Sequence, residues 1–184
     1  MSLATEVLLQ RTRAEQVIPV YSNFKTRYPT ASTLAKEDVH GLLGTIGSLG
    51  LRWRAPLMIK MAAIVAERGA PPESLAELAQ LPGVGPYAAA AYLSFHRGRR
   101  AVIVDSNVVR WLGRVFSFET DGETRRKRWL IGLADDLTPK QSFRDYNYAV
   151  LDLAMKVCRA RPLCHECPLA NDVCRFAARA RRPA

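Results

Sequence analysis

The stretch LPGVGPYAAAA, residues 81–91, decides the fold predicted for this chain. Glycine adopts a left-handed backbone at no steric cost, so Gly83 and Gly85 predict a tight turn. Pro86 suits the first position of a helix, and alanine is a strong helix former. Leucines at helical spacing precede the turn. The stretch therefore predicts two helices joined by a short glycine-rich hairpin.

A hairpin of this kind is suited to bind an anion. Without side chains at Gly83 and Gly85, the backbone N–H groups of the turn and of the next helix can all point at one oxyanion. Together with Val84, these residues form a candidate phosphate contact that reads no base identity. A plain helix corner, in which glycine serves only packing, is the alternative interpretation.

The charge of the chain favours a polyanionic partner. Lys and Arg number 27 against 17 Asp and Glu, which gives a formal net charge of +10. Such an excess is typical of proteins that bind nucleic acid, although a basic solvated surface would give the same count. We therefore expect nucleic acid as the partner.

The composition is ordinary for a folded protein, with 184 residues of which 48% are hydrophobic and 24% charged. No apolar run approaches the length of a membrane span. The N-terminus lacks the basic, apolar and small-residue blocks of a signal peptide. We expect an intracellular protein that has no membrane partner.

Helical periodicity runs through nearly the whole chain, so the predicted fold class is all-α. Apolar residues recur at helical spacing from Val17 to Tyr28, with Thr12 as the predicted cap and Glu15 completing a capping box. One segment, RRAVIVDSN at 99–107, resembles a strand but is too isolated to build a sheet. Further helices are predicted over residues 54–68, 72–80, 86–97, 106–116, 123–136 and 141–157.

The four cysteines all lie near the C-terminus, at Cys158, Cys164, Cys167 and Cys174. An intracellular protein rarely spends its cysteines on disulfides, and a C-x2-C pair with two outlying thiols is typical of a metal site. Four thiolates suit either zinc or an iron–sulfur cluster. The spacing alone leaves both open.

Three further side chains lie near predicted helix starts. Asp105 follows an apolar run and precedes a helical pattern, which predicts an N-cap. Glu6 lies in an early helical pattern, where the helix dipole favours an acidic residue. Tyr87 follows the hairpin and can pack between helices. Each residue therefore has an ordinary structural interpretation.

Several stretches together resemble the helix-hairpin-helix DNA glycosylase superfamily. The resemblance covers nearly the whole chain and is nearest to the mismatch thymine glycosylases and to the adenine glycosylases of the MutY type. The stretches that carry it are the hairpin at 81–91, IVDSNVVRWLGRVF at 103–116, and the segments at 5–12, 49–55 and 144–158.

The resemblance implies two helical domains with the active site in the cleft between them. Residues 17–119 would form the hairpin domain, and residues 1–16 with 120–184 would form a second domain built from both chain ends. The four cysteines would hold a [4Fe-4S] cluster rather than zinc. Their intervals of five, two and six residues depart from the usual six, two and five.

The resemblance also implies a role for each candidate residue. Asp105 would be the catalytic aspartate that stabilises the positively charged sugar, and Glu6 would bind the flipped base or handle its proton. Tyr87 stands where bifunctional members carry a lysine that forms a Schiff base, so it implies a monofunctional enzyme. Gln10 would fill the gap left by the extruded base, with Leu51 as its wedge partner.

The function implied is removal of thymine or uracil mispaired with guanine from double-stranded DNA, by a monomer. Tyr87 favours this branch because adenine glycosylases usually carry serine at its position. An adenine glycosylase acting opposite 8-oxoguanine or guanine is the alternative. A third possibility is a mismatch-binding protein without catalysis, against which Glu6 and Asp105 argue together.

Overall fold

The chain folds into helices, as the periodicity predicts. A computed structural model describes residues 2–50 and 52–180. Every regular element in these two stretches is helical, and neither stretch contains a strand. The all-α fold class is therefore confirmed.

Two compact units divide the chain between Arg97 and Gly98. Within each unit, the residues pack mainly against other residues of the same unit. This division differs from the predicted domains, which are 17–119 for one and 1–16 with 120–184 for the other. The domain boundaries that the resemblance implies therefore stay a prediction.

Seven α-helices lie in the described part of the first unit. The last of them continues directly into a π-helical turn at Tyr92–His96. The helices are α1 (Ser2–Leu8), α2 (Ala14–Arg27), α3 (Ala31–Ala35), α4 (Val39–Ile46), α5 (Arg54–Arg68), α6 (Leu75–Ala79) and α7 (Pro86–Ala91).

Four α-helices lie in the described part of the second unit. A second π-helical turn, Leu153–Val157, ends immediately before the first cysteine. The helices are α8 (Ser106–Phe116), α9 (Arg128–Leu137), α10 (Phe143–Asp152) and α11 (Arg175–Ala180). Helices α5 and α8 match their predicted spans residue for residue.

The predicted cap of α2 is wrong. The N-cap is Arg13, whose N–H donates to Oε1 of Gln16 at 3.4 Å. The hydroxyl oxygen of Thr12 instead lies 3.3 Å from Nη2 of Arg54 and 3.2 Å from the carbonyl oxygen of Gln10. Because these long-range and local contacts engage the threonine hydroxyl, it does not cap the helix.

In the strand-like segment, residues 99–105 form no strand within the described part of the chain, and residues 106–107 already belong to α8. Side chains bind the segment in place of a neighbouring strand. Arg100 forms an ion pair with Asp135 at 2.6 Å, and Nδ2 of Asn147 donates to the carbonyl of Ala101 at 3.0 Å. The apolar pattern of this segment arises because Ile103 is buried in the core of the second unit.

The core of the first unit forms where α7 meets its neighbours. The four alanines of α7 are buried, and both α1 and α6 pack against this helix. Alanine leaves room for a close approach of two helix backbones. On the other side of the unit, α5 packs against α3 and α4 around Met58, Leu34 and Leu42, which are fully buried.

A buried arginine fastens α1 to α5. Arg54 is 1% exposed, and its Nη1 donates to the carbonyl oxygen of Leu8 at 2.8 Å. Burial, followed by the positive charge of Arg11, lowers the pKa of Arg54 to about 10. The guanidinium therefore stays charged near neutral pH. It satisfies a carbonyl at the end of α1 that has no partner within the helix.

Helix α8 is the centre of the second unit. It packs against α10, α11 and the π-helical turn that follows α10. Leu112 and Ala154 lie in this core and are completely buried. Among the described residues of both units, no helix combines the length and the apolar character that crossing a bilayer needs.

Candidate active site

The hairpin turns at one glycine in the left-handed region. Gly83 has φ +77°, and a Cβ placed there would lie 3.2 Å from Cβ of Leu57 in α5. Val84 is buried, and its N–H donates to the carbonyl oxygen of Leu81 at 3.0 Å. Gly83 is therefore required both for its backbone conformation and for the close approach of α5.

Gly85 serves a different purpose from Gly83. Its φ of −90° and ψ of 175° are open to any residue, so the expectation of a left-handed backbone holds for only one of the two glycines. It caps α7 without a side chain, and a Cβ there would meet nothing within 4 Å. The absence of a side chain leaves the backbone bare at the start of α7.

The side chain of Gln10 is held by the hairpin. Its Nε2 donates to the carbonyl oxygen of Gly83 at 2.8 Å, across 73 residues of sequence. The amide therefore has a fixed orientation beside the turn. Leu51, its expected wedge partner, lies outside the described residues.

Tyr87 lies in the first turn of α7, immediately after Gly85 and Pro86. Its side chain is partly exposed, whereas the alanines that follow are buried. The phenol therefore occupies the start of the helix beside the turn. A tyrosine here offers an O–H and an aromatic ring but no amine.

Glu6 is a buried carboxylate in α1. The residue is 5% exposed, and its Oε1 lies 2.7 Å from Nε2 of His96. His96 is the last residue of the π-helical turn that follows α7. The two residues are separated by 90 positions in sequence. Helical periodicity carries no signal for this partner, because the contact joins two elements that are far apart in sequence.

Asp105 caps α8, as its position in the sequence predicts. Its Oδ1 accepts from the backbone N–H of Val108 at 2.7 Å, and its Oδ2 accepts from Nδ2 of Asn107 at 2.8 Å. Both carboxylate oxygens therefore have donors, and the orientation of the group is fixed. The side chain keeps partial exposure. The capping role and a chemical role are compatible in this geometry.

Hydrogen bonds continue from Asp105 along α8 to the first cysteine. Oδ1 of Asn107 accepts from Nη1 of Arg110 at 3.1 Å. The same guanidinium donates through Nε to the carbonyl oxygen of Cys158 at 2.9 Å and through Nη2 to that of Ala154 at 2.7 Å. The chain Asp105–Asn107–Arg110–Cys158 thus joins the carboxylate to the cysteine segment.

The four cysteines line one pocket in the second unit. The pocket has an empty volume of about 350 Å³ and largely apolar walls, including Trp111. Burial, followed by the neighbouring thiols of the other three cysteines, raises the pKa of the Cys164 thiol. The thiols that line the pocket are Cys158, Cys164, Cys167 and Cys174.

Arg114 binds the backbone at the entrance to this pocket. Its Nη1 lies 3.4 Å from Sγ of Cys158 and 2.7 Å from the carbonyl oxygen of Arg159, and its Nη2 donates to Ala160 at 2.9 Å. The guanidinium also lies over the ring of Phe176, 5.1 Å from its centroid. Arg114 therefore holds the backbone that follows Cys158 in place beside the pocket.

No group of three or more His, Cys, Asp or Glu side chains is drawn together closely enough to hold a metal ion in residues 2–50 and 52–180. The cysteines share a pocket without such a cluster. His165 lies between two of them in sequence and is 76% exposed, with Glu166 at 3.2 Å. The imidazole of His165 therefore lies at the surface.

Comparison with known proteins places the chain among DNA repair proteins. Residues 4–132 match the family model described as the HhH-GPD superfamily of base excision DNA repair proteins. The match takes in α1, the hairpin, Asp105 and the start of α9. It therefore covers more than half of the chain.

The individual relatives include both thymine/uracil-DNA glycosylases and adenine DNA glycosylases. A thymine/uracil-DNA glycosylase of Pyrobaculum aerophilum is 36% identical over 183 residues, which cover 95% of this chain and 79% of that protein. An adenine DNA glycosylase of Buchnera aphidicola subsp. Baizongia pistaciae is 33% identical over 170 residues, or 91% of this chain and 48% of that protein.

A solved structure agrees with the fold. The structure of a thermostable thymine-DNA glycosylase superimposes with a TM-score of 0.90 at 30% sequence identity. The superposition covers 97% of this chain and 83% of that one.

The two hairpin glycines are expected to respond differently to alanine. Gly83→Ala should destabilise the protein by roughly 1–2 kcal/mol, because a left-handed backbone is strained for alanine and its Cβ would approach Leu57. Gly85→Ala meets neither obstacle, and the gain from a less flexible unfolded chain is opposed by the weaker N-cap that alanine makes, so stability should stay within about 0.5 kcal/mol of wild type. Urea unfolding midpoints of the two variants measure the difference, and equal midpoints would contradict it.

Proposed function

Because the chain belongs to the HhH-GPD superfamily of base excision DNA repair proteins, we propose that it is a DNA glycosylase that removes thymine or uracil mispaired with guanine. Similarity to a thymine/uracil-DNA glycosylase over 95% of the chain supports this choice of base. The superposition on a thermostable thymine-DNA glycosylase agrees with it.

One observation carries the reaction type, the fixed carboxylate of Asp105. Hydrogen bonds from Val108 and Asn107 hold both of its oxygens at the start of α8. A fixed negative charge stabilises the positive charge that develops on a sugar when its bond to a base breaks. Preorganisation matters because the carboxylate then needs no reorientation during the reaction.

The partner is double-stranded DNA, and the hairpin is its phosphate contact. Gly83 sets the turn, the buried Val84 anchors it, and Gly85 leaves the backbone bare. A net charge of +10 supports binding of a polyanion. The protein acts as a monomer, with Gln10 and Leu51 entering the space of the extruded base.

The reaction is hydrolysis of an N-glycosidic bond. The mispaired base is first turned out of the duplex, at a cost of a few kcal/mol that is lowest at a mismatch. The bond between C1′ and the ring nitrogen breaks, and its electron pair leaves with the base. Asp105 stabilises the resulting sugar cation. Water then adds its hydroxyl to C1′, and its remaining proton balances the departing base.

Glu6 binds the flipped base or transfers a proton to it. Its carboxyl group is buried and held, which suits a group that must meet one edge of a flipped pyrimidine. A carboxyl group so placed can hydrogen-bond the base or pass it a proton as it leaves. Tyr87 has no amine with which to form an imine, so the product is an abasic site left uncut.

The four cysteines are proposed to hold a [4Fe-4S] cluster, with zinc as the alternative. Four thiols around one pocket fit the thiolate ligation that both groups require. Arg114 lies 3.4 Å from Sγ of Cys158, and its hydrogen bonds to the carbonyl oxygens of Arg159 and Ala160 hold the segment that follows this first thiol. When bound, the group supplies structural stability to the segment that carries the cysteines.

Removal of adenine is the second candidate function. The similarity to an adenine DNA glycosylase supports it, although this chain corresponds to 48% of that protein. The two candidates use the same aspartate and differ in the base that is accepted. A set of four duplexes therefore separates them.

Purified protein is expected to release thymine or uracil from G:T and G:U duplexes. Strand scission after alkali should appear with these duplexes, and no scission should appear without alkali, since the enzyme leaves an abasic site. Scission confined to A:G and A:8-oxoguanine duplexes would establish the adenine activity instead. Binding to mismatches with no alkali-sensitive product on any duplex would leave only a binding protein.

Asp105→Asn should abolish base release while keeping the fold. Asparagine caps helices as well as aspartate does, but it carries no negative charge for the sugar cation. We expect the single-turnover rate on a G:U duplex to fall by at least about 100-fold. The dissociation constant for the same DNA should change little. An unchanged rate would remove Asp105 from the chemistry.

Protein purified without oxygen should contain about four iron atoms per chain and absorb visible light. Cys164→Ser should lose the iron because it removes one of four thiolates. His165→Ala is the matched control and should keep it, because this side chain is exposed and does not line the cysteine pocket. Stoichiometric zinc without visible absorbance would establish the alternative.

A further inference from the structure

We propose that His96 is a positioning residue for the Glu6 carboxyl group, an inference that rests on the proposed function. The imidazole holds one carboxyl oxygen and leaves the other for the flipped base. His96 itself does not act on the substrate. It raises the rate of base release by fixing the position of the Glu6 carboxyl group.

The short contact between the two side chains is the first ground for this role. Nε2 of His96 and Oε1 of Glu6 are 2.7 Å apart, which is a short hydrogen-bond distance. The Glu6 side chain is 7% exposed and the His96 side chain 27% exposed. A carboxyl group this deeply buried requires a partner, because burial without one costs free energy.

The surroundings of Glu6 offer few other ionisable partners. Within the described residues, α1 and α7 make the most extensive contacts with the π-helical turn. Helix α1 carries Glu6 as its sole charged side chain, and the titratable residue of α7 is Tyr87. The turn itself carries Tyr92 and His96. Among the described residues, the hydrogen-bond partner of the Glu6 side chain is therefore His96.

The π-helical turn explains why His96 faces α1. A π-helical turn accommodates one more residue than an α-helical turn, so it rotates the following side chain by about 100° around the helix. Without it, position 96 would lie on a different face of α7. Such turns cost stability and occur often at functional sites. Here the turn aligns a histidine with a carboxylate 90 residues away.

The imidazole is itself held in place. Its ring lies 6.1 Å from the ring of Tyr92, at 30° between their planes. Tyr92 is 4% exposed, so this neighbour is fixed by the core. His96 also ends the helix, where the dipole favours a basic side chain. A fixed imidazole transmits its orientation to Oε1 of Glu6.

The two oxygens of the Glu6 carboxyl group therefore differ in their hydrogen bonds. Oε1 is engaged by His96, whereas Oε2 has no hydrogen-bond partner among the described residues. Oε2 is therefore the oxygen that meets the base. Displacement of a reacting group by about 1 Å can slow a reaction about 100-fold. Loss of His96 should act in this way.

The experiment compares His96→Ala, His96→Gln and Glu6→Gln with wild type, and includes both histidine changes in the Glu6→Gln background. His40→Gln is the matched control, because His40 is exposed on α4. Single-turnover rates are measured on a G:U duplex with enzyme in excess. Affinity is measured by fluorescence anisotropy on the same duplex with a 2′-fluoro sugar that resists cleavage. Circular dichroism checks the fold of each variant.

His96→Ala should lower the rate by about 10- to 100-fold, with DNA affinity within about threefold of wild type. His96→Gln keeps an N–H donor and should recover most of the rate. Neither histidine change should slow Glu6→Gln further, because His96 acts through Glu6. A merely structural histidine would slow both backgrounds equally. If His96→Ala fails to fold, His96→Leu, which fills more of the site but has no N–H donor, takes its place in the cycle.

Two results would overturn the inference while leaving the proposed function intact. One is a wild-type rate in a folded His96→Ala protein. The other is an equal loss of rate from either histidine change with and without the Glu6 carboxyl group. Failure of the wild-type protein to release a base from any duplex is a separate result, and it overturns the proposed function together with the inference.

Discussion

The left-handed backbone at Gly83 is the constraint on which the first unit depends. At φ +77° the turn presents its carbonyl oxygen to Gln10 and brings its Cα against Leu57. A side chain at this position would push α5 away and would strain the turn itself. The position of α7 follows from the turn. The α1 segment that carries Glu6 packs against α7, and Arg54 fastens the end of that helix to α5.

Helix α8 has a comparable role in the second unit, but charge rather than backbone conformation provides the constraint. Arg110 and Arg114 donate to carbonyl groups around Cys158, and charged donors make stronger hydrogen bonds than neutral ones. At its other end the helix orients Asp105. A metal group held by the cysteines would therefore stabilise the same backbone segment to which the arginines of α8 are bound.

Much of the fold could be predicted because its rules act over a few residues. The spans of α5 and α8 and the cap at Asp105 follow from periodicity and capping, and they agree with the structure. The cap at Thr12 was wrong because a distant arginine engages its hydroxyl. The π-helical turn before Arg97 was also missed, since periodicity predicts one continuous helix over this segment and the extra residue is visible only in the folded chain.

By itself, the sequence determined the helical class, the glycine hairpin, the cap at Asp105 and the presence of four clustered cysteines. Only the tertiary structure decided that Gln10 binds the hairpin, that His96 holds Glu6 and that Arg110 connects Asn107 to Cys158. The physical reason is the distance along the sequence over which each kind of interaction acts. Capping and periodicity operate within a turn or two of helix, whereas these pairs are 73, 90 and 48 residues apart and meet only because packing brings their helices together.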